Sequence, residues 1–147
     1  MKILTLKIKF LAVIGFTLTV AVFVLNGCKN EEFGVGPVKE EMKLTPVDNN
    51  LYTKGEVIFN VKCVACHKFN SRLVGPPLKD VTKRRRPEWI MNQILNPLEM
   101  TQKDPVSKEL FAQYLIQMTF QDVSHDDARA LLEYFRAVDE GKITPQY

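Results

Sequence analysis

Cysteine and histidine are scarce in this chain. Its 147 residues hold three cysteines (Cys28, Cys63 and Cys66) and two histidines (His67 and His125). A structural zinc site needs four such ligands close together, and a dithiol with only one other cysteine and one other histidine does not supply them. Long apolar runs are missing too. The longest, Phe10 to Leu25, spans 16 residues, slightly short of the roughly 20 that cross a bilayer as a helix. Seven glycines and eight prolines are too few for a chain that is disordered throughout. Excess positive charge is missing outside the N-terminus. The net charge of +3 is carried by Lys2, Lys7 and Lys9 in an acid-free segment 1–27, and the remainder balances 17 basic against 17 acidic residues. A neutral remainder argues against nucleic acid as a partner, because affinity there rests on cations meeting phosphates.

The scarce residues are concentrated. Cys63-Val64-Ala65-Cys66-His67 is a C-x-x-C-H pentapeptide, the attachment signature of a c-type haem. Two thiols two residues apart can add across the two vinyl groups of a haem, and the adjacent imidazole can ligate the iron. A bare C-x-x-C also serves redox dithiols and half-sites for zinc. The βαβ context of a thioredoxin-like site is absent from the pattern, and the ligands for zinc are missing, so one covalently bound haem c is the expectation.

The first 27 residues form an export signal: a lysine-bearing start, then an uncharged apolar stretch. It ends at Leu25-Asn26-Gly27-Cys28, which resembles the lipobox of bacterial lipoproteins. The resemblance implies that Cys28 is lipidated and becomes the mature N-terminus. An uncleaved anchor helix is the alternative. Either one puts the domain outside the cytoplasm, on a membrane facing the periplasm or cell surface, where c-type haem is attached. The cysteines are then all accounted for, and none is left for a disulfide.

Residues 28–49 are expected to be the lipidated N-terminus and a flexible linker. The stretch from Lys29 to Asp48 is polar, interrupted by Gly34, Gly36, Pro37 and Pro46, and shows no apolar periodicity. As random coil its reach is about 25 Å. Residues 50–141 are expected to be one all-α domain, with 142–147 a C-terminal tail.

Within the domain, Leu51 to Cys63 has helical periodicity, with Gly55 and Phe59 on one face. Pro76-Pro77 forbids helix. Pro87 opens a short helix that Pro97 ends. Asp104-Pro105 starts another, with the apolar stripe Val106, Leu110, Phe111, Tyr114 and Leu115. The segment Met118 to Val123 is irregular. Ser124 and Asp127 form a capping pair for a last helix to about Glu140, stopped by Gly141. Phe59, Trp89, Phe111, Tyr114, Tyr134 and Phe135 are expected in the core, with Met91 inside a helix and His125 facing solvent. Charge is uneven: residues 54–86 carry nine bases and two acids, and residues 87–147 carry five bases and ten acids. The positive half surrounds the haem motif, where arginines can meet haem propionates or steer an acidic redox partner.

The pattern Gly55-x-x-x-Phe59-x-x-x-Cys63-x-x-Cys66-His67 resembles that of the small monohaem class I cytochromes c, and the resemblance covers about residues 50–140. It implies N- and C-terminal helices that cross over a covalently bound haem, with Leu131 and Tyr134 meeting Gly55 and Phe59. It implies that the carbonyl of Pro76 accepts the ring N–H of His67, that Trp89 reaches a propionate, and that Met118 is the sixth ligand opposite His67. In the family a proline usually follows this methionine; here Thr119 does. Met100, expected in a loop, and His125 are the other candidates, and an open position is the alternative to both.

These residues imply an electron carrier rather than an enzyme: one haem cycling between Fe(II) and Fe(III), serving an oxidase or a periplasmic reductase and an electron-donating complex. The rival readings are a haem sensor or small-ligand binder with an open sixth position, a peroxidase, and a lipoprotein without haem.

Overall fold

A computed structural model describes residues 33–146. The export segment and the lipid site at Cys28 lie outside the described residues. Six helices follow in order: α1 (Asn49–Lys62), α2 (Val81–Arg84), α3 (Pro87–Leu95), α4 (Pro97–Lys103), α5 (Pro105–Tyr114) and α6 (His125–Asp139). Among the described residues there is no strand, so the all-α expectation holds.

Helix ends fall where capping chemistry puts them. Asp48 accepts the backbone N–H groups of Asn50 and Leu51 at the start of α1. Asp104 accepts that of Ser107, with Pro105 at the first position of α5. Ser124 and Asp127 form a reciprocal capping box on α6. Each satisfies donors that a helix start otherwise leaves unpaired. At the far end of α6, Gly141 has φ +71°, and the N–H of Lys142 returns to the carbonyl of Ala137 at 2.9 Å, a glycine-terminated stop.

The core forms where α6 crosses α1. Gly55 lets the two backbones touch, and Phe59, Tyr134, Phe135 and Phe69 pack around the crossing with ring centroids 5.3–6.2 Å apart. Phe69, in the loop after the haem motif, is 1 % exposed and had not been expected in the core. Phe111 had been, but is 42 % exposed. Leu110, Phe111 and Tyr114 of α5 line a cleft.

One further expectation is corrected. Pro97 marks the end of α3 as expected, the helix stopping at Leu95, but after Asn96 it also starts α4 at its first position, where a missing N–H costs nothing. Met100 therefore lies in a helix, fully buried, with its thioether accepting the N–H of Val35 at 2.9 Å.

Residues 33–48 are not a free linker but a strap fixed to the domain by buried polar side chains. Asn92 accepts the N–H of Val38 at 2.9 Å and donates to the carbonyls of Val38 and Phe33 at 2.9 and 2.8 Å. Glu88 accepts the N–H of Met42 at 2.5 Å, and Glu133 that of Asp48 at 2.9 Å. All three side chains are fully buried. The charge on Glu133 is met by Arg129 and Arg136, and that on Glu88 by Arg86, as buried carboxylates require. Helix α3 thus has two working faces: Glu88 and Asn92 grip the strap, while Ile90, Gln93 and Ile94 line a cleft. The tail is also partly docked, with Ile143 packed on the core.

Candidate haem site

The C-x-x-C-H motif forms where α1 ends. Cys63 is its C-cap, and the chain coils on: the N–H groups of Cys66 and His67 both reach the carbonyl of Cys63 at 3.0 Å. The loop then folds back, with the N–H groups of Val74 and Gly75 on the carbonyl of Cys66 at 3.2 and 2.9 Å. This turn brings Pro76 to the imidazole. His67 Nδ1 lies 3.0 Å from the carbonyl oxygen of Pro76. A carbonyl only accepts, so Nδ1 carries the proton and Nε2 keeps its lone pair. Gly75 lies against the Cε1 edge of the ring, since a Cβ there would lie 2.5 Å from His67 Cε1. Burial lowers the His67 pKa, the hydrogen bond to Pro76 opposing it. The ring is therefore held as the neutral donor that a metal needs.

Cys63, Cys66, His67 and Met118 line one cleft of about 240 Å³, together with Pro76 and Trp89. Both thiols are unpaired, Cys63 half-buried and Cys66 exposed. Burial pushes the Cys63 thiol up to about 11, with Lys62 pulling the other way. The walls are apolar, built from Ile90, Ile94, Leu110, Leu131 and Phe135, and Val74, Phe111 and Ile116 add exposed apolar surface. Arg84 and Arg85 also line it. Arg84 donates to the carbonyls of Lys79 and Pro77, and the Arg85 guanidinium sits 5.5 Å from the Trp89 ring centroid.

Met118 comes from the segment between α5 and α6, which is pinned rather than loose. It leaves α5 through Leu115 in the left-handed region, φ 56°, and turns again at Asp122, φ 51°. Lys62, next to the first thiol, donates to the carbonyls of Gln121 and Asp122 at 2.8 Å each. Gln117 donates to the Met118 carbonyl at 2.8 Å and to Thr101 Oγ1 at 3.1 Å. Neither Met100 nor His125 lines the cleft. Met100 is in the core and His125 is exposed in the first turn of α6.

Trp89 is buried in the core. Its ring borders the cleft, but the indole N–H donates to Asp104 Oδ1 at 3.1 Å. Asp104 is 2 % exposed, and a carboxylate so buried needs its donors. Trp89 therefore contributes ring surface rather than a free N–H. Sequence reasoning missed Gln93, Ser107 and Lys62. A trace lay in Gln93 falling one helical turn after Trp89 on an otherwise apolar face.

Residues 52–139 match the Cytochrome c family. The chain belongs to that family. It is similar to the solved structure of a cytochrome c from Rhodothermus marinus, at 45 % identity and TM-score 0.71, over 77 % of this chain and 96 % of that one. It is similar also to an engineered form of that cytochrome, at 45 % identity and TM-score 0.70, over 76 % and 96 %. A structure of the engineered form bound to a carbene intermediate matches with 45 % identity and TM-score 0.67, over 76 % and 96 %. No curated protein matches the chain.

As a cytochrome c, the chain is a haem-based electron carrier with haem c bound covalently through Cys63 and Cys66. The donor set fits that group: two free thiols separated by two residues on one cleft, an imidazole with its tautomer fixed, a thioether, and apolar walls for a flat macrocycle. Among the described residues no cluster of His, Cys, Asp and Glu could hold a metal ion alone, and no helix is long and apolar enough to cross a membrane.

Proposed function

We propose that this cytochrome c works from a membrane surface, tethered by lipid on Cys28. It carries single electrons between respiratory complexes or periplasmic reductases through one haem ligated by His67 and Met118. The observation that carries the reading is that His67 and Met118, from separate stretches of chain, line the same cleft as the two attachment thiols. When bound, the haem supplies a one-electron Fe(III)/Fe(II) couple.

The protein's own residues do the rest. Pro76 and Gly75 orient His67 so that Nε2 is its free donor atom. Met118 would hold the haem iron through a soft thioether, a ligand that favours the reduced state and would leave no place for small molecules to bind. Arg84 and Arg85 are the cations placed to pair with propionates, and the apolar walls keep water away. The basic stretch 54–86 favours an acidic protein partner, an oxidase or reductase on one side and an electron-donating complex on the other. Peroxidase chemistry lacks support because His125 stands outside the cleft. Packing of residues 33–48 on the domain removes the long swinging arm that the sequence alone implied.

The test uses full-length protein from a host that matures c-type haem. Haem should stay with the polypeptide on acid–acetone extraction. The ferric protein should show the far-red charge-transfer band of a thioether–iron bond, and Met118→Ala should abolish the band and admit carbon monoxide. A wild-type protein that lacks the band and binds carbon monoxide readily would be a ligand binder instead. Loss of membrane association in Cys28→Ser checks the anchor separately.

A further inference from the structure

We propose that α4 couples the N-terminal strap to the Met118 segment: docking of residues 33–36 and the hold on Met118 stabilise each other. Release of the strap then makes Met118 yield the sixth position more readily to a competing ligand. The inference rests on Met118 being that ligand.

Helix α4 has seven residues, far fewer than a helix needs to persist alone, so its neighbours hold it. On one side the strap does so. Val35 donates its N–H to the buried Met100 Sδ at 2.9 Å, and its carbonyl accepts Asn96 Nδ2 at 3.2 Å. Asn96 is the N-cap of α4. Gly34, φ +71°, lies so close that a Cβ there would stand 2.6 Å from both Met100 Sδ and Cε. On the other side α4 holds the ligand segment. Gln117 Nε2 donates to the Met118 carbonyl at 2.8 Å and to Thr101 Oγ1 at 3.1 Å, with the Pro97 carbonyl at 3.3 Å. Thr101 Oγ1 gives its own proton to that Pro97 carbonyl at 2.9 Å, so toward Gln117 it accepts. Met100 and Thr101 are adjacent residues, one bound by the strap and the other by the ligand segment.

The segment needs that hold. It is bounded by Leu115 at φ 56° and Asp122 at φ 51°, left-handed backbone that residues with a Cβ adopt only at a cost. The Asp122 end is tied separately, by Lys62, so loss of the strap loosens Met118 without freeing the whole segment. Because so short a helix moves as one piece, a shift that parts Met100 from the strap also displaces Thr101 and Pro97, the acceptors of Gln117. Two sites that share one such element are coupled, and the coupling is reciprocal. Displacement of Met118 must loosen the strap by the same factor with which strap release favours that displacement.

The experiment uses full-length ferric holoprotein, with imidazole as the competing ligand and trypsin as the probe of the strap, which carries the exposed Lys39 and Lys43. Cleavage there tracks the released population when release and return are fast relative to cutting. Saturating imidazole should speed it about tenfold, within the range usual for coupled sites. Gly36→Val forces a side chain against Asn92 Oδ1 and lifts the strap from a residue outside α4 and the cleft lining. It should bind imidazole about tenfold more tightly, the same factor read from the other end, and keep its far-red band when imidazole is absent. Gln117→Leu cuts the link, so its strap should be cleaved at one rate with and without imidazole. Wild-type cleavage that imidazole leaves unchanged overturns the proposal, and this arm decides alone if Gly36→Val does not fold. Wild-type imidazole affinity in a Gly36→Val protein whose strap is cleaved faster overturns it too. A response to imidazole that persists in Gln117→Leu overturns the assignment to α4. Met118→Ala separates this from the ligand reading. If the far-red band survives in that variant, the reading falls and the proposal with it. If the band is lost there while wild-type cleavage ignores imidazole, only the proposal falls.

Discussion

Gly55 and Ala130 meet backbone to backbone: a Cβ on Gly55 would stand 2.0 Å from the Ala130 carbonyl oxygen and 2.9 Å from Tyr134 Cβ. Neither atom is the free end of a flexible chain. Gly55→Ala would gain about 1 kcal/mol of helix propensity and must then push α1 and α6 apart. Overpacking of this kind costs about 1–3 kcal/mol, and a clash with backbone lies at the high end. We expect a net loss of about 2 kcal/mol, read as a lower guanidinium midpoint of the oxidised holoprotein. An unchanged midpoint would mean the helices can separate freely, contrary to the packing of Phe59 and Tyr134.

Those parts of the fold and site governed by local chemistry were legible in the sequence. The C-x-x-C-H spacing, the caps at Asp104 and Ser124, and the rigid Pro76-Pro77 pair all act within a few residues of themselves. What escaped was held by long-range polar contacts. The strap 33–48 shows no periodicity because it is not a regular element: Val38 and Val47 are buried and Val35, Met42 and Leu44 pack on the core at irregular intervals. Its backbone is gripped by Glu88, Asn92 and Glu133. The available signal was those three polar residues on otherwise buried helix faces. Phe111 was assigned to the core because periodicity marks an apolar face without saying whether protein or cofactor covers it. Met100 lies in a helix rather than a loop because Pro97, which ends one helix, also opens the next.

The grip on the strap can be released at one residue. Asn92→Ala leaves the N–H and carbonyl of Val38 without their partner in a buried setting. Unsatisfied buried groups cost about 1–3 kcal/mol each, so a loss of about 2–6 kcal/mol is expected for the two. The loss should be local at first, with tryptic cleavage after the exposed Lys39 and Lys43 accelerated well before the haem spectrum changes. Cleavage at the wild-type rate would show that the strap is held elsewhere.

Gly75 guards the orientation of His67. In Gly75→Ala the new methyl would stand 2.5 Å from Cε1 and 3.0 Å from Nδ1, and the ring must tilt off its bond to Pro76. Disturbing the partners that orient a ligand typically costs about 10- to 100-fold in metal affinity. The low-spin haem spectrum should therefore be lost at a lower guanidinium concentration than in wild type, while circular dichroism still reports intact helices. If spectrum and helices are lost together, at the wild-type midpoint, the ring tolerates the methyl and the clamp is unimportant.

The capping box of α6 makes a prediction about pH. Asp127 accepts Lys54 from α1 at 2.8 Å as well as the N–H of Ser124. Lys54 above all, and then Ser124, hold its carboxyl at about 2, against about 4 in an unfolded chain. A carboxyl depressed by folding stabilises the folded state when ionised, so its contribution is complete above about pH 4 and disappears as pH falls toward 2. Asp127→Asn should therefore be less stable than wild type at pH 6, and the gap should close between pH 4 and pH 2. Ser124→Ala removes a hydroxyl that does not titrate, at a cost of about 1 kcal/mol. Part of that loss is the direct bond to the Asp127 N–H, which survives acid, so its gap to wild type should narrow without closing. Guanidinium unfolding of the three proteins at a series of pH values separates the cases. A gap for Asp127→Asn that persists unchanged at low pH would mean that the carboxylate's charge is not what ties α6 to α1.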